Sequence, residues 1–256
     1  GELGASVLGN PAVADMVKHH SVLYRDLADP LGVLRHRSKT GLRDYWSYVP
    51  GSGSPDEGHR EYSQLMSSSL ALIGDHILNS YPLDGYRSLV DVAGGTGNFA
   101  RAVKKRYPDL SATVLDLPEV VTEAKDQALN SAVRFVATDM FHSPLPADTE
   151  LFSLVRVLHD HDDQPVSQLL ARLHSALRPG GHLLIAEPMA GTAGAEPIGD
   201  TYFGFYLWAM GSGRPRTADE LRAMCLAAGF TGVREFKTPI PALTRLLVAE
   251  KAVNSQ

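Results

Sequence analysis

The sequence has little cysteine and no long hydrophobic run. Cys225 is the single cysteine among 256 residues, which excludes an internal disulfide and favours a reducing compartment. No uninterrupted apolar stretch reaches the ~20 residues that a membrane-spanning helix needs, and no secretory signal is visible. Long basic runs are also missing and the net charge is −5, which argues against a nucleic-acid partner. Together these absences predict a soluble cytoplasmic protein.

What the sequence does contain is enough apolar material for one large domain. Its residues are 44% hydrophobic, which suffices for an α/β domain with a full core and a helical appendage. We expect residues 1–80 to form a helical segment and residues 81–256 to form the α/β domain. Because the chain opens at Gly1 inside a helix-like pattern, we also expect further residues upstream.

Short apolar strands alternate with helices from residue 88 onward. The predicted strands are 88–92, 112–115, 133–136, 151–158 and 183–186, with a closing antiparallel pair at 233–236 and 246–249. The turn chemistry of residues 178–181 predicts that they close the helix before the fifth strand. Repeated βα units predict a Rossmann-like, mostly parallel seven-stranded sheet with helices on both faces. Ligands of such sheets bind beyond the carboxyl ends of the strands.

A glycine-rich loop follows the first predicted strand and leads into a helix. Gly94, Gly95 and Gly97 let the backbone turn sharply and approach a ligand closely. The N-terminus of the helix behind them favours negative groups. Read from Gly95, the run also fits the dinucleotide fingerprint. By itself, therefore, the loop leaves open a dinucleotide, another nucleoside ligand or a glycine turn without a ligand.

Three acids stand at successive strand ends. Asp91 precedes the glycines, where a carboxylate suits a cationic amino group such as the α-ammonium of a methionine and repels a pyrophosphate. Asp116 can accept hydrogen bonds from ribose hydroxyls, which many nucleoside ligands share. Asp139 can accept from an adenine amino group, and Met140 can pack on the ring. The alternative for each acid is a helix N-cap or a solvated loop.

A histidine follows the most apolar predicted strand. The imidazole of His159 titrates near neutrality, so it can take a proton from a nucleophile, and neighbouring acids would favour its protonated form. Glu187, at the end of the fifth strand, could orient the ring. The cluster of His159, His161, Asp162 and Asp163 leaves metal binding and a structural histidine open. Adjacent positions seldom converge on one ion, so we predict no metal.

Taken together, these residues resemble the plant-type O-methyltransferase family over nearly the whole chain. The resemblance is carried by the loop 91–97, Leu115-Asp116-Leu117-Pro118, Asp139-Met140-Phe141, Leu158-His159-Asp160 and Ala186-Glu187-Pro188. It implies an S-adenosylmethionine-dependent O-methyltransferase whose catalytic domain is 81–256. Its implied catalytic residues are His159 as general base and Glu187 as the carboxylate that positions it. Its implied cofactor-binding residues are Asp91, Gly94, Gly95, Gly97, Asp116, Asp139, Met140 and Arg156.

The chain departs from the family pattern at several positions. Ala93 and Thr138 stand where the family usually has glycine, and His161 replaces a common tryptophan. A second glutamate that flanks the base in plant enzymes falls near Pro215 and is absent. Most of the family's N-terminal dimerisation domain is also not in this sequence, and the resemblance implies a homodimer in the full-length form.

A further set of residues is similar to the branch of this family that methylates carotenoids. It includes Tyr24 to Pro30 and the run from Ala186 through Gly213-Arg214-Pro215-Arg216-Thr217. This likeness implies a small apolar acceptor, an acyclic carotenoid methylated on its tertiary hydroxyl. The predicted acceptor wall is the aromatic segment 201–210 together with Met66, with Tyr202, Phe205 and Trp208 as its main residues. Ordinary core or dimer packing is the alternative. Because such a substrate dissolves in membrane, loose peripheral contact with a photosynthetic membrane is compatible with it.

Three rival functions stay open at this point. One is an O-methyltransferase for a phenolic or polyketide acceptor, which would keep every cofactor residue. Another is an NAD-dependent oxidoreductase, against which Asp91 and Asp139 argue. The third is a non-catalytic S-adenosylmethionine-binding homologue, which the absent second carboxylate and N-terminal domain would suit.

Overall fold

The structure is a computed structural model that describes residues 11–35, 39–45, 73–127 and 132–253. The predicted acceptor residue Met66 lies outside them. The helices are α1 (Pro11–Asp26), α2 (Pro30–Arg35), α3 (Gly41–Tyr45), α4 (73–80), α5 (Asn98–Arg106), α6 (Pro118–Gln127), α7 (Asp163–Ala176), α8 (Phe203–Met210) and α9 (Ala218–Ala227). The strands are β1 (Ser88–Val92), β2 (Ser111–Asp116), β3 (Val133–Ala137), β4 (Thr149–Val155), β5 (Leu177–Glu187), β6 (Thr231–Phe236) and β7 (Arg245–Glu250). A 3₁₀ turn (Leu158–Asp160) follows β4, and a π-helical turn (Pro197–Tyr202) precedes α8.

The seven strands form one sheet in the order β3-β2-β1-β4-β5-β7-β6. Only β7 runs antiparallel to its neighbours, β5 and β6. This arrangement confirms the predicted Rossmann-like, mostly parallel sheet. Central strand β4 is buried at every position, as a parallel strand covered on both faces should be.

The sheet separates two hydrophobic clusters. One cluster packs the buried sides of α7 and α9 against one face, with Leu169, Leu173 and Leu221 fully buried. The other packs α4 and α5 against the opposite face through Ile77 and Phe99. Helices therefore cover both faces of the sheet. The edge formed by the carboxyl ends of the strands is left for the loops that follow them.

Two predicted boundaries around β4 and β5 were wrong. Strand β4 ends at Val155 because the next residue, Arg156, has φ 58°, which turns the backbone out of the extended region. Strand β5 begins at Leu177, so residues 178–181 belong to the strand rather than to the closing turn of a helix. Gly180 takes φ 70° and its N–H donates to the Lys251 carbonyl at 2.9 Å, which makes this stretch an irregular start of the strand.

A third layer joins the N-terminal helices to α8. Leu23, Val33 and Leu42 from α1, α2 and α3 form one buried cluster with Tyr206 and Leu207 of α8. Hydrogen bonds tie the same elements together, since the Thr40 hydroxyl donates to the Ala209 carbonyl and Trp208 Nε1 donates to the Val33 carbonyl at 3.0 Å. The predicted division at residue 80 stays a prediction.

Among the residues that the structure describes, no helix is both long enough and apolar enough to cross a lipid bilayer.

Candidate active site

The loops that carry the predicted site residues leave the same edge of the sheet. Strands β1 and β4 are parallel neighbours, paired at Val90 with Phe152 and at Asp91 with Ser153. The chain runs outward from β1 to β2 and β3, then returns to β4 and β5, so the strand order reverses between β1 and β4. Such a reversal opens a crevice beyond the carboxyl ends of the strands. The glycine loop and the turn that carries His159 flank this crevice.

The three glycines of the loop serve two purposes. A Cβ on Gly94 would lie 2.5 Å from Asp91 Oδ2, and one on Gly97 would lie 2.8 Å from Phe135 Cζ. Gly95, with φ 58°, would meet no atom within 4 Å. Ala93, two residues before Gly95, also has a left-handed φ of 52°, at the position where glycine was expected. Gly94 and Gly97 therefore serve packing, and Gly95 faces open space.

Asp91 is a fully buried acid at the end of β1. Its Oδ1 accepts a hydrogen bond of 2.6 Å from the Ser153 hydroxyl, and Oδ2 has no hydrogen-bond partner among the described residues. Burial raises the pKa of Asp91 to about 7, and the nearby Asp116 carboxylate adds to the rise, against the Ser153 hydrogen bond. A buried carboxylate oxygen without a partner can accept a hydrogen bond from a ligand that enters the crevice.

Asp116 fastens the glycine loop to the end of β2. Its Oδ2 accepts from the Gly95 N–H at 2.7 Å, and its Oδ1 accepts from the Leu117 N–H at 2.8 Å. Burial raises the pKa of this carboxyl, and the two N–H groups oppose the rise. Each oxygen keeps a second lone pair, so the acid can hold the loop and still accept from a hydroxyl.

Asp139 is the most exposed of the three acids. Its oxygens accept from the Phe141 N–H at 2.7 Å and contact His142 Nδ1 at 2.8 Å. Partial burial would raise the pKa of Asp139, but these bonds outweigh it and hold the pKa below its usual range. Met140 packs against the core, and its carbonyl accepts from Arg172 Nε at 3.2 Å. A local turn thus fixes both residues at the end of β3.

His159 lies buried between two carboxylates. Its Nε2 is 3.2 Å from Asp160 Oδ1, and its Nδ1 is 3.9 Å from Glu187 Oε2. Glu187 also accepts the backbone N–H of His159 at 3.2 Å. Burial would lower the pKa of His159, but the charges of Asp160 and Glu187 outweigh it and raise the pKa. Burial raises the pKa of Glu187, and the charge of His159 opposes that rise.

Arg156 and two aromatic residues lie near His159. The positive charge of Arg156 opposes protonation of His159 and also lowers the pKa of Tyr202, against the larger effect of burial. The ring of Phe203 lies 5.8 Å from the His159 ring, centroid to centroid, and 5.1 Å from that of Tyr202. Arg156 is therefore an electrostatic neighbour of His159, and Tyr202 is connected to it through Phe203.

The other predicted acceptor residues lie further along α8. Phe205 is half-buried, and Trp208 is 37% exposed with its indole N–H on the Val33 carbonyl of α2. Tyr206, also within the predicted segment 201–210, is buried and pairs its hydroxyl with His19 Nε2 at 2.7 Å. Its ring lies 5.8 Å from that of Tyr202, centroid to centroid. Trp208 and Tyr206 therefore both contact the N-terminal helices.

Sequence reasoning missed two residues of this site. Ser153 faces Asp91 through the register of β1 and β4, which no local pattern reveals. Asp160 places a carboxylate oxygen 3.2 Å from His159 Nε2, and the sequence showed it only as a member of a longer motif. Phe203 belongs to the predicted wall 201–210, and its ring is tilted by 32° to that of His159. In the ranges that the structure describes, three or more His, Cys, Asp or Glu side chains nowhere gather as a metal site would require.

Comparison with known proteins identifies the family of this chain. The O-methyltransferase domain family matches residues 24–231. The chain belongs to the O-methyltransferase domain family. This O-methyltransferase domain is 42% identical over 250 residues to demethylspheroidene O-methyltransferase of Rhodobacter capsulatus, covering 97% of the chain and 63% of that protein. Acetylserotonin O-methyltransferase of Rattus norvegicus is 37% identical over 169 residues, covering 64% of the chain and 39% of that protein.

Solved structures show the same fold. Human N-acetylserotonin methyltransferase, crystallised in complex with SAM, matches with a TM-score of 0.78 and 25% identity, covering 93% of the chain and 70% of that structure. The pyocyanin biosynthetic protein PhzM matches with a TM-score of 0.73 and 24% identity, over 93% of the chain and 72% of that structure. The O-methyltransferase domain spans less than two thirds of the length of its first curated relatives, at 63%.

Proposed function

We propose that this chain is an S-adenosylmethionine-dependent O-methyltransferase. The cofactor is supported by a fit between its parts and the loops at the ends of the strands. The free Oδ2 of buried Asp91 suits the α-ammonium, and Asp116 offers lone pairs to the ribose hydroxyls. Open space at Gly95 lets the ligand approach the backbone. We propose that Asp139 and Met140 contact the adenine, and that Arg156, which follows β4, binds the cofactor from that side.

The proposed acceptor is an acyclic carotenoid, methylated on its tertiary hydroxyl. The observation that carries it is the 42% identity, over 97% of the chain, to demethylspheroidene O-methyltransferase. That match includes nearly all of the N-terminal helices, which pack on α8 beside the base. A long apolar substrate needs an apolar wall, and we propose Tyr202, Phe205 and Trp208 for it, with Met66.

When bound, S-adenosylmethionine would supply an electrophilic methyl group on its sulfonium. The acceptor oxygen would take that methyl group as the methyl–sulfur bond breaks, and S-adenosylhomocysteine would leave. Holding the oxygen and the methyl group in line can lower the barrier by roughly 7–11 kcal/mol. The hydroxyl proton passes to the imidazole of His159, and the carboxylates of Asp160 and Glu187 stabilise the imidazolium that forms. Because a tertiary alcohol is a weak acid, we propose that the proton leaves during or after methyl transfer.

Turnover with a hydroxylated acyclic carotenoid and methyl-labelled S-adenosylmethionine tests this function. The proposal predicts label in a carotenoid methyl ether, one per tertiary hydroxyl. Equilibrium binding of S-adenosylhomocysteine and of NADH provides the matched comparison for the cofactor. Tight binding of NADH without binding of S-adenosylhomocysteine would overturn the assignment of S-adenosylmethionine as the cofactor. Binding of S-adenosylhomocysteine without turnover on any hydroxylated acceptor would indicate a non-catalytic homologue.

A phenolic acceptor is the second candidate for the same chemistry. The 37% identity to acetylserotonin O-methyltransferase supports it, although that match covers 64% of the chain. Running the carotenoid assay beside a panel of phenols separates the two, since the proposal predicts a higher kcat/KM for the carotenoid. Loose contact with a membrane surface and homodimerisation of a full-length form are proposed from the same likeness, and vesicle flotation and sedimentation would test them.

A further inference from the structure

Residues 211–217 lie against the turn that carries the proposed base. A Cβ on Gly213 would stand 2.0 Å from the His159 carbonyl oxygen, so a residue with any side chain would push the turn away. Gly213 has φ 78°, and its N–H donates to Asp162 Oδ1 at 3.0 Å. The segment therefore touches the backbone of the base itself.

The guanidinium of Arg216 holds this turn from inside the protein. The side chain is fully buried, at 0% exposure. Its Nη1 donates to the Leu158 carbonyl and its Nη2 to the His161 carbonyl, each at 2.8 Å. These carbonyls lie on either side of His159 in the chain. Nε and Nη2 also donate to Asp163 Oδ1 at 2.9 and 2.7 Å, which pairs the buried charge.

Arg216 also reaches the strand that carries Glu187. Its backbone carbonyl accepts from the Ala190 N–H at 2.9 Å, three residues beyond Glu187. The guanidinium charge opposes the rise that burial causes in the pKa of Glu187, and so favours the carboxylate form. One residue thus links the turn of the base to the chain of its acid partner.

We propose that Arg216 is a positioning residue that sets the imidazole of His159 against Glu187 and Asp160. This inference rests on the proposed role of His159 as the base. A planar guanidinium reaches two carbonyls and a carboxylate at once, and an ammonium cannot reproduce that fork. Arg216 acts through the turn and has no need to touch either substrate.

Arg216→Lys tests the proposal, with Arg214→Lys as the matched control. Arg214 also pairs with Asp163, but it lies at the surface and contacts neither carbonyl of the turn. We expect Arg216→Lys to lower kcat about tenfold at unchanged S-adenosylhomocysteine affinity, because a small misplacement of the base suffices. In a His159→Gln background the same change should cost nothing further. Equal losses in both backgrounds would overturn the proposal.

Titration of His159 by nitrogen NMR, assigned from the signal missing in His159→Gln, gives a readout without turnover. The imidazole is faced by Asp160, Glu187, Arg156 and His161. We expect Arg216→Lys to move the His159 midpoint toward lower pH, because the ring leaves its two acids, and Arg214→Lys to leave it in place. An unchanged midpoint contradicts the positioning role. If the His159 midpoint responds to Arg216→Lys as expected but the wild-type protein shows no methyltransferase turnover, the proposed function fails while the positioning role of Arg216 stands.

Should Arg216→Lys fail to fold, Asp163→Asn replaces it in both measurements. Asp163 is half exposed, and its removal frees the guanidinium from its carboxylate without emptying the core. We expect smaller changes of the same sign in kcat and in the His159 midpoint. Wild-type values for both would overturn the inference.

Discussion

The two sides of the crevice are built differently. On the side that we propose for the cofactor, short backbone turns and carboxylates at the ends of β1 and β2 shape the crevice, with Asp116 bonded to the N–H of Gly95. On the side that we propose for the acceptor, large side chains from distant segments pack together, as His19 of α1 does with Tyr206 of α8, 187 residues away. The first side depends on backbone conformation, and the second depends on side-chain packing.

The two sides should differ in how well they tolerate substitution. A site made of glycine turns and backbone N–H groups tolerates few substitutions, so its geometry is preserved. A wall of packed aromatic rings can be repacked at modest cost, so its shape can be adapted to a different acceptor. We therefore expect changes on the cofactor side to alter binding of every substrate, and changes in the helical layer to alter stability or acceptor preference.

The largest expected effect falls on the group between the two sides. His159→Gln should lower turnover by about 10²–10⁴-fold, because the proton acceptor is lost. The cofactor residues lie on other strands, so the S-adenosylhomocysteine dissociation constant should stay near that of the wild type. Steady-state kinetics and calorimetry measure both. Turnover that survives within a few-fold would remove His159 from the role of base.

Gly94→Ala probes the cofactor side. The new Cβ would stand 2.5 Å from Asp91 Oδ2, and relieving that overlap costs about 1–3 kcal/mol. We expect S-adenosylhomocysteine affinity to fall about 10–100-fold by calorimetry. Gly85→Ala is the matched control, because no atom lies within 4 Å of its Cβ position. Similar losses in the two variants would mean that the tight contact at Gly94 is not what the cofactor site needs.

Asp91 gives the cofactor side a pH dependence. Folding raises its pKa from 3.8 to about 7, so ionisation destabilises the ligand-free protein increasingly as the pH rises between those values. A bound ammonium needs the ionised form, and affinity should therefore improve about tenfold from pH 6 to pH 8. Asp91→Asn should abolish this dependence and raise the melting temperature of the ligand-free protein at pH 8. A wild-type affinity that is flat with pH would contradict the ammonium contact.

Tyr206→Phe probes the helical layer and should have the smallest effect. It removes the hydroxyl partner of buried His19, which costs about 1–2 kcal/mol of unfolding free energy in a denaturant titration. S-adenosylhomocysteine affinity should not change. Tyr24→Phe is the control, because that ring is 66% exposed. A loss of cofactor affinity in Tyr206→Phe would show that the two sides of the crevice are not independent.

The same layer should respond to acid. Burial and the neighbouring charge of His20 lower the pKa of His19 from 6.5 to about 4. The neutral imidazole is thus favoured by folding, and its stabilisation is present above pH 6.5 and lost as the pH falls toward 4. Unfolding measurements across this range should show a shallower loss in a His19→Asn variant. Equal pH slopes would contradict the shift.

Local sequence pattern was enough to predict where some residues of the candidate site lie in the fold. Asp91 and Asp116 follow from where apolar strands end, and His159 from its place after the most apolar strand. What lay beyond prediction depends on register and on contacts between distant segments. Ser153 meets Asp91 only because β1 and β4 pair at those two residues. Arg216 stands in a stretch that carries part of the family resemblance, but its contacts with the carbonyls of Leu158 and His161 join segments more than 50 residues apart.

A crystal structure with bound S-adenosylhomocysteine tests the proposed site most directly. We expect the ribose hydroxyls on Asp116, the ammonium on Asp91 and the sulfur atom facing the His159 imidazole across the crevice. A ligand bound elsewhere, or one whose sulfur points away from His159 with Asp91 left unpaired, would contradict the proposed site.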